Sequence, residues 1–362
     1  MRLVIARTFG PAPLGLYALA LGYQRVTGQI ADGGLHYALL RRASNDQELL
    51  RRGLSLKMLI GAAIAIVVAL PSLVPTQNPD VRIAIVLAAI GVLGWSQLDS
   101  AQLWLRSGSR FSADLALHAS MSAFRVFVAI VVLIVGGNVP LALAAYFAVP
   151  VIATVVVPLP WRRPGVPLWM VRDSAASVTY RCLWLLWLNI DLLVLGWVVD
   201  ISSVGRYDAP RSLAYPVLAV AEGAAVAALQ HLGSGRGTVV ETANSLVKPA
   251  LMVVIAMPLF AGAAHFALPF LFGPTFPSDE LVAVFILLFT GFIASSAAMP
   301  YASALLFSWP KAVLTLTAID VALAALVYVS VAAAGIVAVA VAACALQGLN
   351  LAALMMLTRR AH

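Results

Sequence analysis

Residues Ile83–Leu105 read IAIVLAAIGVLGWSQLDSAQLWL, twenty-three residues with a single ionisable group, Asp99. A helix of about 20 apolar residues crosses the hydrocarbon core of a bilayer, so this stretch is long and oily enough to span it. The rest of the chain is alike. Its 362 residues are 62% hydrophobic and only 10% charged, with a mean hydropathy of +0.97. A soluble domain is nearer half apolar and about a quarter charged. The composition therefore excludes a soluble enzyme, a secreted disulfide scaffold and a disordered tail. Cys182 and Cys344 both lie in apolar runs, which assigns them no redox or metal role. The net charge of +8 reflects lysines and arginines kept on the cytosolic side of a membrane more simply than it reflects nucleic-acid binding. Met1–Phe9 is too short for a cleaved signal peptide, and no A-x-A site follows it.

Outward from Ile83–Leu105, charges, prolines and glycines bound eleven candidate spans. They are Leu14–Leu40, Leu56–Leu73, Ile83–Leu105, Ala113–Val135, Val139–Pro158, Ser177–Val199, Ala209–His231, Pro249–Phe272, Leu281–Phe307, Ala312–Ala334 and Ile336–Leu357. The runs are continuous, without ten-residue alternation, so they read as helices and not barrel strands. Placing the segment after Leu40 in the cytosol puts fifteen of the 23 basic residues at inside loops and adjoining span ends, Lys57 and Arg106 among them. Five fall outside: Arg2, Arg7, Arg82, Arg206 and Arg211. That bias orients the chain with its C-terminus in the cytosol.

An odd number of spans leaves the N-terminus outside, and an internal repeat accounts for it. Gly15-Leu-Tyr17 recurs as Gly205-Arg-Tyr207, an offset of 190 that also carries Asp32 onto Glu222. The same offset sets Met1–Phe9 opposite Asp191–Val199, the closing half of the sixth span, so the chain is expected to begin midway through its first helix. The expected architecture is an all-α integral membrane protein of about 11 transmembrane helices, in two bundles related by this repeat, around a central cavity. The expected lobes are 1–160, with its truncated first helix, and 173–362, with six helices, joined by a basic, proline-rich cytosolic linker over 161–172.

Ionisable residues inside spans mark the candidate site, because the bilayer excludes charge. Arg25, Gln29 and Asp32 stand at i, i+4 and i+7 on the first span. Asp114, His118, Ser122 and Arg125 form a similar stripe on the fourth, and Arg181, Trp184 and Asp191 share a face of the sixth, with Trp187 at its edge. Such stripes must line a partner helix or a wet cavity. The planar guanidinium fork, which never deprotonates, suits phosphate. Tryptophan beside it stacks on sugar rings, although an interfacial belt is the commoner use. Asp32 and Glu222 read as coupling acids or as structural ones, Asp32 neutralising Arg25. Gln97, Asp99, Ser100 and Gln102 make a weaker cluster near the inner end of the third span, and Gln347 and Asn350 read as glue between helices. Gly233, Gly235 and Gly237 read as a flexible loop, since no strand precedes them. His36, His231 and His265 lack metal-ligand spacing, and no metal or cofactor is expected.

Several stretches resemble a known family. Ala6-Arg-Thr-Phe-Gly-Pro-Ala-Pro-Leu-Gly-Leu-Tyr17 is similar to the ARxxGPxxxGxY turn of the polysaccharide-export flippases, and Ala31-Asp-Gly-Gly-Leu35 followed by Arg41 to their ADxGL…R. Asn189-Ile-Asp191, Leu195-Gly196 and Val204-Gly-Arg-Tyr207 resemble their N-x-D…LG…VGxY region. Leu271-Phe-Gly-Pro-Thr-Phe276 resembles their LFGxxF loop, and Ala334-Gly335-Ile336 their late G-I-x-G-A-A, with Ala338 in place of its second glycine. These are O-antigen and exopolysaccharide lipid-carrier flippases of the multidrug/oligosaccharidyl-lipid/polysaccharide superfamily. The resemblance implies twelve helices in two lobes, most of the first being absent here, around a cationic cavity. It implies a transporter that turns an undecaprenyl-diphosphate-linked oligosaccharide from the cytosolic to the outer leaflet of a bacterial inner membrane. Polysaccharide polymerase and chain-length regulators would be its partners, in lipopolysaccharide or exopolysaccharide synthesis.

Physical chemistry points the same way. A diphosphate cannot cross hydrocarbon without charge compensation, while its polyprenyl tail stays in lipid. Arg25, Arg125 and Arg181 are the expected diphosphate contacts, with Trp184 and Trp187 for the sugar and Asp32, Glu222, Asp114 and Asp191 as coupling or structural acids. Two rival readings stand beside this one. A cation-coupled drug or metabolite antiporter on the same scaffold would favour an acidic, aromatic cavity. A polysaccharide polymerase or ligase would need a sizeable outer loop with a catalytic cluster, which the short outer loops lack, so the chain is read as no enzyme.

Overall fold

The structure, a computed structural model, describes residues 1–32, 35–36, 39, 46–73, 79–157, 159, 161–218, 257–273, 275–276 and 278–361. Every regular element among these residues is helical. In hydrocarbon no water satisfies backbone N–H and C=O groups, and a helix pairs them all within its own segment. The chain runs through α1 (Arg2–Phe9), α2 (Pro11–Asp32), α3 (Gln47–Ala69), α4 (Pro79–Ser107), α5 (Phe111–Ile134) and α6 (Val139–Val156). It continues through α7 (Leu168–Val198), α8 (Ile201–Ala214), α9 (Met257–Phe272), α10 (Ser278–Ser308), α11 (Pro310–Val331) and α12 (Ile336–Ala361). Among the described residues eight helices are long and apolar enough to cross a membrane, which supports the expected all-helical membrane fold. The expected span Ala209–His231 and the first part of Pro249–Phe272 fall largely outside the described residues, as do Glu222 and the Gly233–Gly237 loop.

Local chemistry sets the helix ends. Asp46 caps α3, its carboxylate accepting from the Leu49 amide at 3.0 Å, and Asn138 caps α6 through the Leu141 amide at 2.9 Å. Asp200 caps α8 and accepts from both the amide and the hydroxyl of Ser203. Those hydrogen bonds hold its carboxyl below the usual carboxylate range. The cap therefore contributes fully above the unfolded pKa of about 4 and is lost as acidification passes below it. Pro150 tightens α6 into a 3₁₀ turn over Val149–Ile152.

The chain divides into two compact units, Leu19–Leu186 and Met1–Ala18 with Trp187–His362, the divisions falling inside α2 and α7. In the 19–186 unit α4 is the central element. Leu98, Ala101 and Leu105 pack on Leu117 and Met121 of α5 and on Val149 and Ala153 of α6. Leu103 packs with Leu50 and Leu54 of α3 and Met170 of α7. These two apolar faces leave a third face of α4, along Trp95, Asp99, Gln102 and Arg106 at i, i+4, i+7 and i+11, turned to neither core.

In the other unit the first half of α2 crosses α8 at Gly15 and Gly205. A Cβ on Gly15 would overlap the Ile201 carbonyl oxygen, and one on Gly205 the Pro11 carbonyl oxygen. The contact is reciprocal at the offset of 190 found in the sequence, Pro11 with Ile201 and Gly15 with Gly205. Beside it lies a buried ionic group. Arg2 pairs with Asp208 at 2.9 Å, Arg211 lies 3.4 Å from Asp191 and bonds the Leu188 carbonyl, and the Tyr207 hydroxyl donates to Asp191 at 2.7 Å.

Candidate functional site

The third face of α4 forms one wall of a cavity of about 400 Å³ within the 19–186 unit. Trp95, Asp99, Gln102 and Arg106 line it from α4, and Gly28, Gln29 and Asp32 from the end of α2. His36, four residues after Asp32 in the sequence, also lines it; Asp114, Leu115 and His118 come from α5, and Arg181 from α7. Polar side chains this deep in an apolar protein survive only when paired. Here they are. Lys57 of α3 enters from behind the wall, with 1% of its side chain exposed, and its ammonium bonds both Asp32 and Asp99. His36 Nδ1 lies 3.0 Å from Asp99 Oδ2, and its Nε2 lies 3.4 Å from Arg106 Nη1. Arg106 Nε donates to Asp114 at 2.8 Å, and His118 meets the Gln102 amide at 3.2 Å.

The oxygens of Asp32 and Asp99 and a ring nitrogen of His36 lie within 4.8 Å of one another. The position a cation would take between the two carboxylates is filled by the Lys57 ammonium, so the chain supplies that charge itself. Counted formally with neutral histidines, Asp32, Asp99 and Asp114 balance Lys57, Arg106 and Arg181. Within this unit the described lining thus balances its charge. The reason is the cost of an uncompensated charge in hydrocarbon, which each pairing removes.

The structure sorts the expected site residues. Asp32, Asp114 and Arg181 share the cavity wall. Arg25, two turns before Asp32, is half-buried and is not among the described lining residues. Arg125 faces the Tyr146 ring, 4.8 Å from its centroid. Trp184 is 5% exposed and stacks on Tyr180 at 6.2 Å, and Trp187 is 3% exposed. Asp191 belongs to the buried Arg211 group of the other unit. Lys57, Arg106 and His36 enter the site without having been named for it. Lys57 carried a usable signal: Gly53, Gly61 and Ala65 stand at four-residue steps around it, a small-residue stripe that turns it toward a packed helix and away from lipid.

Comparison with solved structures places the fold. The lipid II flippase MurJ, in an inward closed conformation, superposes with a TM-score of 0.76 at 12% identity, over 99% of this chain and 84% of that one. A MOP superfamily transporter from Pyrococcus furiosus gives 0.63 at 14% identity, over 99% and 89% of the two chains. A MATE transporter in complex with MaL6 gives 0.57 at 15%, over 99% and 87%. No curated protein matches in sequence. The model of the polysaccharide biosynthesis protein family matches residues 1–230, well over half of the chain. With the ordered motifs and the all-helical membrane fold already in place, that match settles the kinship: this chain belongs to the polysaccharide biosynthesis protein family.

Proposed function

We propose that the protein is a flippase that carries an undecaprenyl-diphosphate-linked oligosaccharide from the cytosolic to the outer leaflet of the inner membrane by alternating access. Family membership and the flippase-type fold support the reading. The observation that carries it is the polar cavity in the 19–186 unit, where Arg106 and Arg181 bring two guanidinium groups and Trp95 an aromatic face to one hollow. Those groups match a diphosphate and a sugar ring, while the tail stays in lipid. The basic-residue bias sets the C-terminal end of α4 and the N-terminal end of α5 toward the cytosol, so Arg106 and Asp114 stand at the loading side. On this reading the protein is no enzyme, and a polysaccharide polymerase receives its product.

Deleting the protein is expected to leave complete lipid-linked oligosaccharide on the cytosolic leaflet, measured by extraction and leaflet-specific labelling. Arg106→Ala and Arg181→Ala are each expected to slow export by about tenfold or more at equal protein level. Accumulation of unfinished glycans would overturn the reading in favour of a polymerase or ligase. Asp32, Asp99 and Trp95 of the lining are the groups that one rival, a cation-coupled antiporter of the same superfamily, would use. In that case deletion would leave glycan export intact and remove efflux of a lipophilic cation.

A further inference from the structure

The cavity wall balances its charge, and a diphosphate diester brings two more negative charges into it. A neutral wall offers that cargo no surplus, and water in a membrane cavity screens it poorly. The described lining holds two side chains able to gain positive charge near neutral pH, His36 and His118.

His36 is placed to gain it in step with the cargo. Its Nδ1 faces Asp99 Oδ2 at 3.0 Å, and a carboxylate only accepts, so Nδ1 carries the hydrogen. Its Nε2 faces Arg106 Nη1 at 3.4 Å, and a guanidinium only donates, so Nε2 holds a lone pair. In this arrangement a second proton on Nε2 must displace the Arg106 N–H. Of the two, Arg106 is the side chain with room to move, 34% exposed against 9% for His36.

We propose that His36 is a proton-binding site coupled to the cargo. An anionic headgroup draws Arg106 toward itself, Nε2 takes a proton from cavity water, and Asp99 holds the resulting imidazolium. When the anion leaves, Arg106 returns and the proton goes back to solvent. The surroundings accept this charge. Asp32 and Asp99 against Lys57 carry one net negative charge, which the imidazolium cancels. Asp114 keeps its hold on Arg106 through Nε, Arg181 faces the cavity from α7, and His118 rests on Gln102. Proton and anion thus bind together, each raising the affinity for the other. The inference rests on the diphosphate reading of the cargo.

The test uses the full chain in lipid nanodiscs and farnesyl-diphosphate-N-acetylglucosamine, a diester that keeps its two charges throughout. Binding is expected to be roughly tenfold tighter at about pH 6 than at about pH 8, because a proton and the anion that bind together each raise the affinity for the other. Calorimetry in two buffers of different ionisation enthalpy should register proton uptake by the native chain, a readout that needs no variant. His36→Gln is expected to bring the pH ratio close to one, and His118→Gln to keep it. A ratio that survives His36→Gln, or native binding that ignores pH, overturns the coupling. Native protein that binds the probe at neither pH overturns the cargo reading instead.

Discussion

Lys57→Met is expected to cost about 3–5 kcal/mol of folding stability and to deplete the protein from the membrane. Lys57 is 1% exposed, and its ammonium is the charge that lets Asp32 of α2 and Asp99 of α4 approach one another, with side chains 11% and 15% exposed. Methionine fills the same volume and supplies no charge. Two carboxylates are then left facing each other in a low-dielectric wall, which is the costly half of a broken buried pair. The loss should therefore be recovered by removing the acids as well. Lys57→Met combined with Asp99→Asn and Asp32→Asn is expected to restore much of the thermal stability in detergent, since the neutral set leaves no unpaired charge. Thermal unfolding of the single and triple variants checks this. A single variant as stable as the native chain would mean that the acids do not depend on Lys57.

The same residue marks how far the sequence could be read. Hydropathy delivers spans such as Leu56–Leu73 and Ile83–Leu105, which lie inside the helical spans Gln47–Leu73 and Pro79–Ser107, because a bilayer demands length and apolarity of each helix separately. Helical period gives the azimuth of a side chain, which is why Asp32, Asp114 and Arg181 were recognisable as inward-facing. It does not give the depth of the hollow they face. Arg125 shares the stripe of His118 but lies seven residues on, about 10 Å further along the axis at 1.5 Å per residue, where it meets Tyr146. Asp191 lies ten residues beyond Arg181, about 15 Å along α7, and joins a different ionic group. The pairings that Lys57 and His36 make were illegible for another reason. Their partners are 42 and 63 residues away, on helices whose packing only the fold decides. Counting basic residues for topology assigned Lys57 to a span end, and judging His36 by sequence spacing missed a contact made in space.

Gly205→Ala and Gly15→Ala are each expected to destabilise the protein by about 1–3 kcal/mol, and the double variant by clearly less than the sum. Each added Cβ would overlap a carbonyl oxygen of the facing helix, and would also stand 2.9 Å from the amide nitrogen of the facing glycine. Backbone cannot rotate aside as a side chain does, so α2 and α8 must part. Once one methyl has parted them, the second meets a gap already open, and its cost falls. Gly348→Ala in α12 is the control, since nothing lies within 4 Å of its added Cβ, and it should be neutral or stabilising by up to about 1 kcal/mol. Equal costs at Gly15 and Gly205 are expected for a further reason. The overlap of Gly15 with Ile201 and of Gly205 with Pro11 is one contact seen from its two ends, related by the 190-residue repeat. Two helices that cross reciprocally at the same offset meet most tightly at that shared point. Additive costs, or one glycine that tolerates alanine freely, would show that the two ends are not equivalent and that the repeat does not organise this crossing.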